Sequence, residues 1–145
     1  MPPIFPNQPR PVRVLLVDDD PRYCANLSAI LSGNPRIVVV GAAFDGQQGV
    51  DRARMLRPDV VVLDVNMPRL DGFAAARTIR RDLPDARIVI VSGAPEHGHP
   101  GRAREAGADI YLPKDVDFDA LTDVVLDTEE AERRDSNWVA RAVAV

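Results

Sequence analysis

The sequence holds one cysteine, Cys24, so an intramolecular disulfide is impossible and a thiolate metal cluster has no ligand set. Cys24 stands beside Tyr23, Leu27 and Leu31 at helical spacing and reads as a buried, inert thiol. The two histidines, His97 and His99, lie in a Gly/Pro-rich stretch, where exposed side chains are expected rather than metal ligands. Long hydrophobic runs are missing. The apolar runs Val60 to Leu63 and Ile88 to Val91 fall far short of the roughly 20 residues that span a bilayer. An excess of positive charge is missing as well: the net charge is −4, which argues against a nucleic-acid surface on this domain itself. The first eleven residues carry five prolines, with Ile4 and Phe5 as their bulky apolar residues, so they form no signal peptide. They read as a disordered, polyproline-leaning tail, and a cytoplasmic location is expected.

What is present suits one globular domain. Of 145 residues, 46% are hydrophobic and 28% charged, enough to bury a proper core. Beyond residue 11, short β-branched runs alternate with stretches of helical period. Val12 to Val17 predicts the first strand. Asp20 stands where a helix N-cap belongs, with Pro21 at the first helical position. Tyr23, Leu27, Ile30 and Leu31 give that helix an apolar stripe, and Gly33-Asn34-Pro35 ends it. Ile37 to Val40 predicts the second strand, Asp45 caps a second helix, and Pro58 closes it. Val60 to Leu63 is apolar throughout, as expected of a strand with both faces covered. Asp71 to Asp82 predicts a third helix, with Phe73, Ala76, Ile79 and Leu83 inward. Ile88 to Val91 and Ile110 to Leu112 predict strands four and five. Pro95, Gly98, Pro100 and Gly101 crowd the start of the fourth helix, so only about Arg102 to Ala106 reads as helical.

The last helix begins at Asp117, and from Thr122 to Val145 no Gly or Pro stops it. The charged run Thr128 to Arg134 suits a solvated helix face, and Trp138, Val139, Ala142 and Val143 form a small second stripe. The expected division is therefore a tail over 1–11, one domain over 12–134, and a helical extension or linker over 135–145. Five strand–helix repeats of this length imply an α/β fold, an open parallel sheet with helices on both faces.

In such sheets ligands bind beyond the carboxyl ends of the strands. Asp18, Asp19 and Asp20 follow the first strand, Asp64 the third, Ser92 and Gly93 the fourth, and Lys114 the fifth. Carboxylates at Asp18, Asp19 and Asp64 could share a crevice only with a counter-charge, because like charges raise one another's pKa. Mg²⁺ suits best: it accepts carboxylate oxygens, keeps waters and bridges to phosphate. Asp64 then reads as a nucleophile that forms an aspartyl phosphate. Lys114 would neutralise the phosphoryl oxygens, while the Ser92 hydroxyl and Gly93 amide donate to another.

The segments Val17-Asp18-Asp19-Asp20-Pro21, Leu63-Asp64-Val65-Asn66-Met67-Pro68, Asp71-Gly72, Ser92-Gly93 and Tyr111-Leu112-Pro113-Lys114 together resemble the signature of response-regulator receiver domains, from about Val12 to Leu126. The resemblance implies a (βα)5 flavodoxin-like, doubly wound sheet with strand order 2-1-3-4-5. It implies phosphoryl acceptance on Asp64 from a sensor histidine kinase, in a two-component system. It further implies Mg²⁺ held by Asp19, Asp64 and the Asn66 backbone carbonyl, with Asp18 acting through water. Ser92 and Tyr111 are implied as the switch that alters the fourth helix, fifth strand and fifth helix, a face through which a homodimer could form. Such a domain catalyses only its own phosphorylation and dephosphorylation and is not an enzyme on outside substrates.

Lys114-Asp115 resembles the subgroup of regulators with a C-terminal LuxR/NarL-type helix-turn-helix. By that resemblance transcription control and DNA contact would come through a further domain. The sequence runs to Val145 without one, as expected of either a stand-alone receiver or a piece of a longer chain. Proline precedes Lys114 here instead of following it, which leaves the Leu112–Pro113 bond open to either isomer. Two other classes fit the pattern less well. A phosphorylation-independent binding module would use the same fold, but the acidic pair, acceptor and lysine are all present. An aspartate-nucleophile phosphatase needs an acid two residues after Asp64, where Asn66 stands.

Overall fold

The computed structural model describes residues 10–67, 69–93 and 100–126. Five parallel strands form one sheet: β1 (Val12–Val17), β2 (Ile37–Ala43), β3 (Val60–Asp64), β4 (Arg87–Ser92) and β5 (Ile110–Pro113), in the order β2-β1-β3-β4-β5. Among the described residues four helices connect them and a fifth follows β5: α1 (Pro21–Ser32), α2 (Gly46–Leu56), α3 (Gly72–Asp82), α4 (Pro100–Glu105) and α5 (Phe118–Leu126). The α/β class and the strand order are those expected. No helix among the described residues is long and apolar enough to cross a membrane.

The period-2 geometry of each strand divides the core into two layers. Val61 and Leu63 join Val50, Phe73, Ile79 and Ala103 under α2, α3 and α4. Val60 and Val62 join Leu27, Leu31, Leu121 and Val125 under α1 and α5. That two-sided burial is why β3 is apolar at every position before its final Asp64. The chain first winds outward from β1 to β2 and then crosses back to β3. The switch point lies between β1 and β3, where Asp18 follows β1 and Asp64 ends β3.

The helix signals acted as read. Asp20 caps α1 by accepting the Arg22 N–H at 2.9 Å, Asp45 caps α2 through Gln48 at 2.8 Å, and Asp71 caps α3 through Ala74 at 2.9 Å. Pro58 excludes right-handed helix at Arg57, which closes α2 in the left-handed region at φ 48°.

Three details differ from the sequence reading. Ile30 is 41% exposed; the buried stripe of α1 is Cys24, Leu27 and Leu31. A helix of 3.6 residues per turn carries position 30 off the line through 27 and 31 once Cys24 sets the face. β2 runs three residues beyond Val40, through Gly41-Ala42-Ala43, because pairing with Leu15 to Val17 outweighs weak local strand propensity. The register shifts between Val14 and Leu15, where Val14 pairs with Val39 and Leu15 with Gly41. α4 starts at Pro100, ahead of the expected Arg102, since proline is tolerated in a first turn, and it remains six residues long. The described residues contain no cis peptide, so Leu112–Pro113 is trans. The expected tail falls mostly, and the 135–145 extension wholly, outside the described residues.

Candidate functional site

The crevice at the carboxyl ends of β1, β3, β4 and β5 is built from backbone outward. Asp18 follows β1 directly, and its N–H donates to Ala43 O at 3.0 Å, as though the strand continued. That pairing holds its side chain at 2% exposure, with Oδ1 accepting the Asp20 N–H at 2.9 Å. Asp19, next in the chain, is exposed at the mouth of the same crevice. Asp64 closes β3 at 3% exposure, and its Oδ1 receives the Asn66 N–H at a long 3.4 Å. Carboxylate oxygens of Asp18, Asp19 and Asp64 lie within 4.8 Å of one another.

Lys114 leaves β5 with its backbone N–H donating to Ser92 O at 2.7 Å, which carries its side chain across the strand ends. Its Nζ lies 2.7 Å from Asp18 Oδ2 and 3.8 Å from Asp64 Oδ2, so the tighter ion pair is with Asp18. Ser92 ends β4, buried, and Gly93 lies beside the lysine stem: a Cβ there would stand 3.9 Å from Lys114 Cδ. Asn66 is exposed in the loop after β3. Tyr111 is buried in the layer beneath α2, α3 and α4 rather than in the crevice. The fold thus brings Asp18, Asp19, Asp64, Ser92, Gly93 and Lys114 to one end of the sheet and sets Tyr111 behind them.

Burial decides the electrostatics. Asp64 is pushed up to about 6, first by desolvation and then by the Asp18 carboxylate, while Lys114 and the Asn66 N–H oppose the rise. Desolvation alone would lower the Lys114 ammonium, but the Asp18 contact and the charges of Asp64, Asp18 and Asp19 outweigh it, so the net shift is upward. Cys24, against the Asp18 backbone with Sγ 3.6 Å from its carbonyl, is pushed up to about 11 by burial and then by Asp18. It is a protonated packing group, not a nucleophile.

Three carboxylates faced by one ammonium leave a net negative pocket of hard oxygen donors. Oxygens within 4.8 Å of one another would draw closer to share one ion, and carboxylates are the hard oxygen donors that Mg²⁺ takes. Asp18, Asp19 and Asp64 could hold it.

Several supporting residues escaped the sequence reading. Gly72 lets α3 begin against the acidic loop: a Cβ there would overlap the Asp64 carbonyl and Val65 Cα, and its N–H donates to Val65 O at 3.1 Å. The signature pair Asp71-Gly72 is its only sequence trace. Arg69, at φ 71°, sets its Nε 3.9 Å from Asp45 Oδ2. Tyr23, read only as part of an apolar stripe, lies with its ring centroid 4.6 Å from Lys114 Nζ. Burial, then Asp18 and Asp64, push its hydroxyl up to about 12. A pairwise meeting of the first helix with the fifth strand leaves no local signal.

Comparison with known proteins agrees with this fold. Residues 14–126 match the family described as response regulator receiver domain. The chain is 40% identical over 115 residues to a protein-glutamate methylesterase/protein-glutamine glutaminase of Geobacter metallireducens, covering 78% of this chain and 32% of that one. It is 36% identical over 111 residues to the nitrate/nitrite response regulator protein NarL of Escherichia coli, covering 77% of this chain and 51% of that one. It therefore spans about a third of the first relative's length and about half of the second's. Among solved structures, the signal receiver domain of the putative response regulator NarL from Mycobacterium tuberculosis superposes with a TM-score of 0.75 at 33% identity, over 86% of this chain and 98% of that one. The receiver is the signalling part; enzymes among the relatives, such as the methylesterase, extend well beyond the region shared with this chain. With the fold, the acidic crevice and the matched segment in accord, the chain belongs to the response regulator receiver domain family of two-component signalling.

Proposed function

We propose that Asp64 accepts a phosphoryl group from a phosphohistidine of a sensor histidine kinase, with Mg²⁺ in the crevice. An Asp64 carboxylate oxygen forms the new bond to phosphorus as the bond from phosphorus to the donor's imidazole nitrogen breaks. The single observation that carries the reading is Lys114 Nζ 3.8 Å from Asp64 Oδ2, with Asp18 and Asp19 alongside. Asp19, Asp64 and the Asn66 backbone carbonyl would hold the metal directly, with Asp18 through water. Bound there, the ion would neutralise the acceptor and the phosphoryl oxygens. Lys114 neutralises another oxygen, and the Ser92 hydroxyl and Gly93 amide donate to a third. Ser92 closing on the phosphoryl group, followed by Tyr111, would alter the face made by α4, β5 and α5.

The wider reading follows the relatives. The domain, over 12–134, works in the cytoplasm, pairs through the α4–β5–α5 face, and passes its signal to transcription through a C-terminal DNA-binding domain of the full protein, with no DNA contact of its own. The region 135–145 serves as helical extension or linker. Mg²⁺ with beryllofluoride tests the central claim: the amide NMR spectrum should change around Asp64, Ser92 and Lys114. A silent wild type, or an equal response from Asp64→Asn, defeats it. A second reading, a phosphorylation-independent binding module, draws support from the six-residue α4. Equal partner binding with and without an acyl-phosphate donor would establish it instead.

A further inference from the structure

Lys114 must cross from the end of β5 to the end of β1, passing over β4 and β3 in the sheet order. A flexible four-carbon stem at the end of that path needs confinement, since free rotation removes the ammonium from the carboxylates. Two carboxylates, Asp18 and Asp64, confine it on one flank. The other flank is the ring of Tyr23, 4.6 Å from Nζ, within the range of cation–π attraction.

The ring's placement has a local cause. Asp20 caps α1 and Pro21 starts it, so Tyr23 falls in the first turn. Helical side chains lean toward the helix N-terminus, which carries this ring back over the crevice instead of down into the core with Cys24, Leu27 and Leu31. The ring is half-buried against the layer under α1 and α5, so its own rotamer is held by packing. Its hydroxyl meets no hydrogen-bond partner among the described residues. What Lys114 feels is therefore the face of the ring.

We propose that Tyr23 is a positioning residue for Lys114, its ring confining the ammonium over Asp18 and Asp64 in readiness for the phosphoryl oxygens. The proposal rests on the reading of Asp64 as phosphoacceptor for its purpose, but its geometry can be tested apart from that reading. The first measurement uses the wild-type chain without metal. Ring current from Tyr23 should shift the terminal methylene protons of Lys114 upfield, and Tyr23→Phe should keep the shift while Tyr23→Leu loses it. The second is a beryllofluoride titration at saturating Mg²⁺, read by amide NMR. Tyr23→Leu should bind roughly two- to tenfold more weakly, as a lost cation–π contact implies, with Tyr23→Phe within twofold of wild type.

The absence of an upfield shift in wild type overturns the proposal. So does a Tyr23→Leu variant that binds as wild type does, or a Tyr23→Phe variant as impaired as Tyr23→Leu, which would assign the effect to the hydroxyl. If Tyr23→Leu does not fold, the wild-type shift and the behaviour of Tyr23→Phe decide. A wild type that shows the Lys114 shift yet takes up no beryllofluoride sinks the phosphoacceptor reading while leaving the contact in place.

Discussion

The two ends of this sheet treat charge in opposite ways. At the amino ends of β4 and β5, Arg80 uses four of its five N–H donors. Its guanidinium donates to Gly107 O at 3.0 Å, to Pro84 O at 2.8 Å, to Ala86 O at 2.7 Å and to Asp109 Oδ2 at 2.6 Å. Asp109 Oδ2 also accepts the Ile88 N–H at 2.9 Å, so one cation and one anion tie α3, the loop before β4 and the turn before β5 together. At the carboxyl ends, one ammonium faces three carboxylates, and burial, followed by the Asp18 charge, raises the Asp64 carboxyl to about 6. Matched charge with geometric partners holds the fold; mismatched charge held in place by the fold is what invites a cation and a phosphoryl group. The comparison yields expectations that separate the two ends, since one should govern chemistry and the other stability.

The largest expected effect lies at the mismatched end. Asp64→Asn should abolish incorporation of a hydroxylamine-labile phosphoryl group from acetyl phosphate, read by intact mass. Lys114→Met should slow it roughly hundredfold, the scale of losing one charged stabiliser of a transition state. Residual phosphorylation of Asp64→Asn at the wild-type rate would move the acceptor elsewhere.

At the matched end, Arg80→Ala should cost about 2 kcal/mol of unfolding free energy in urea, because its carbonyl partners and Asp109 lose their donor while water compensates in part. Phosphorylation per folded molecule should stay within about twofold of wild type, consistent with sites that do not share partners. An Arg80→Ala variant that folds normally but phosphorylates slowly would break the division between the ends. Gly107→Ala probes the same knot. With φ at 90° and Arg80 Cγ 2.8 Å from the added Cβ, it should cost about 1–2 kcal/mol, read by the same denaturation.

A smaller effect returns to Asp64 and follows from its sign. A carboxyl whose folded value, about 6, lies above its ordinary 3.8 is favoured by the fold in its protonated form. Its ionisation therefore costs stability that is absent below about pH 4, grows as pH rises through 6, and is fully present at pH 7. Without metal, Asp64→Asn should be more stable than wild type by about 1 kcal/mol at pH 7, after allowing for solvent screening, and equal near pH 4. Mg²⁺ should raise the wild-type melting temperature and leave Asp64→Asn nearly unmoved. A wild type more stable than Asp64→Asn at pH 7 without metal would show that Lys114, not burial, dominates the pocket.

Much of this was legible in one dimension. Asp20-Pro21, Asp45 and Asp71 stop and start helices by forming bonds to N–H groups two or three residues away, so their signals are local. The solidly apolar Val60 to Leu63 and Ile88 to Val91 announce strands covered on both faces. The residues after each strand then name the crevice. Gly41 to Ala43 hid the true end of β2, because only pairing with β1 makes that stretch a strand. Ile30 looked inward because helical spacing permits more than one face, and packing against α1's neighbours selects among them.

By itself, then, the sequence determined the element order, the helix caps and the set of oxygen and ammonium groups at the strand ends, since each depends on spacing within a few residues. Only the tertiary structure decided that Lys114 pairs more closely with Asp18 than with Asp64, that Tyr23 lies over its ammonium, and that Arg80 and Asp109 lock the far end. Those contacts join residues 29 to more than 90 positions apart, with distances set by register and packing across the sheet, which no local pattern encodes.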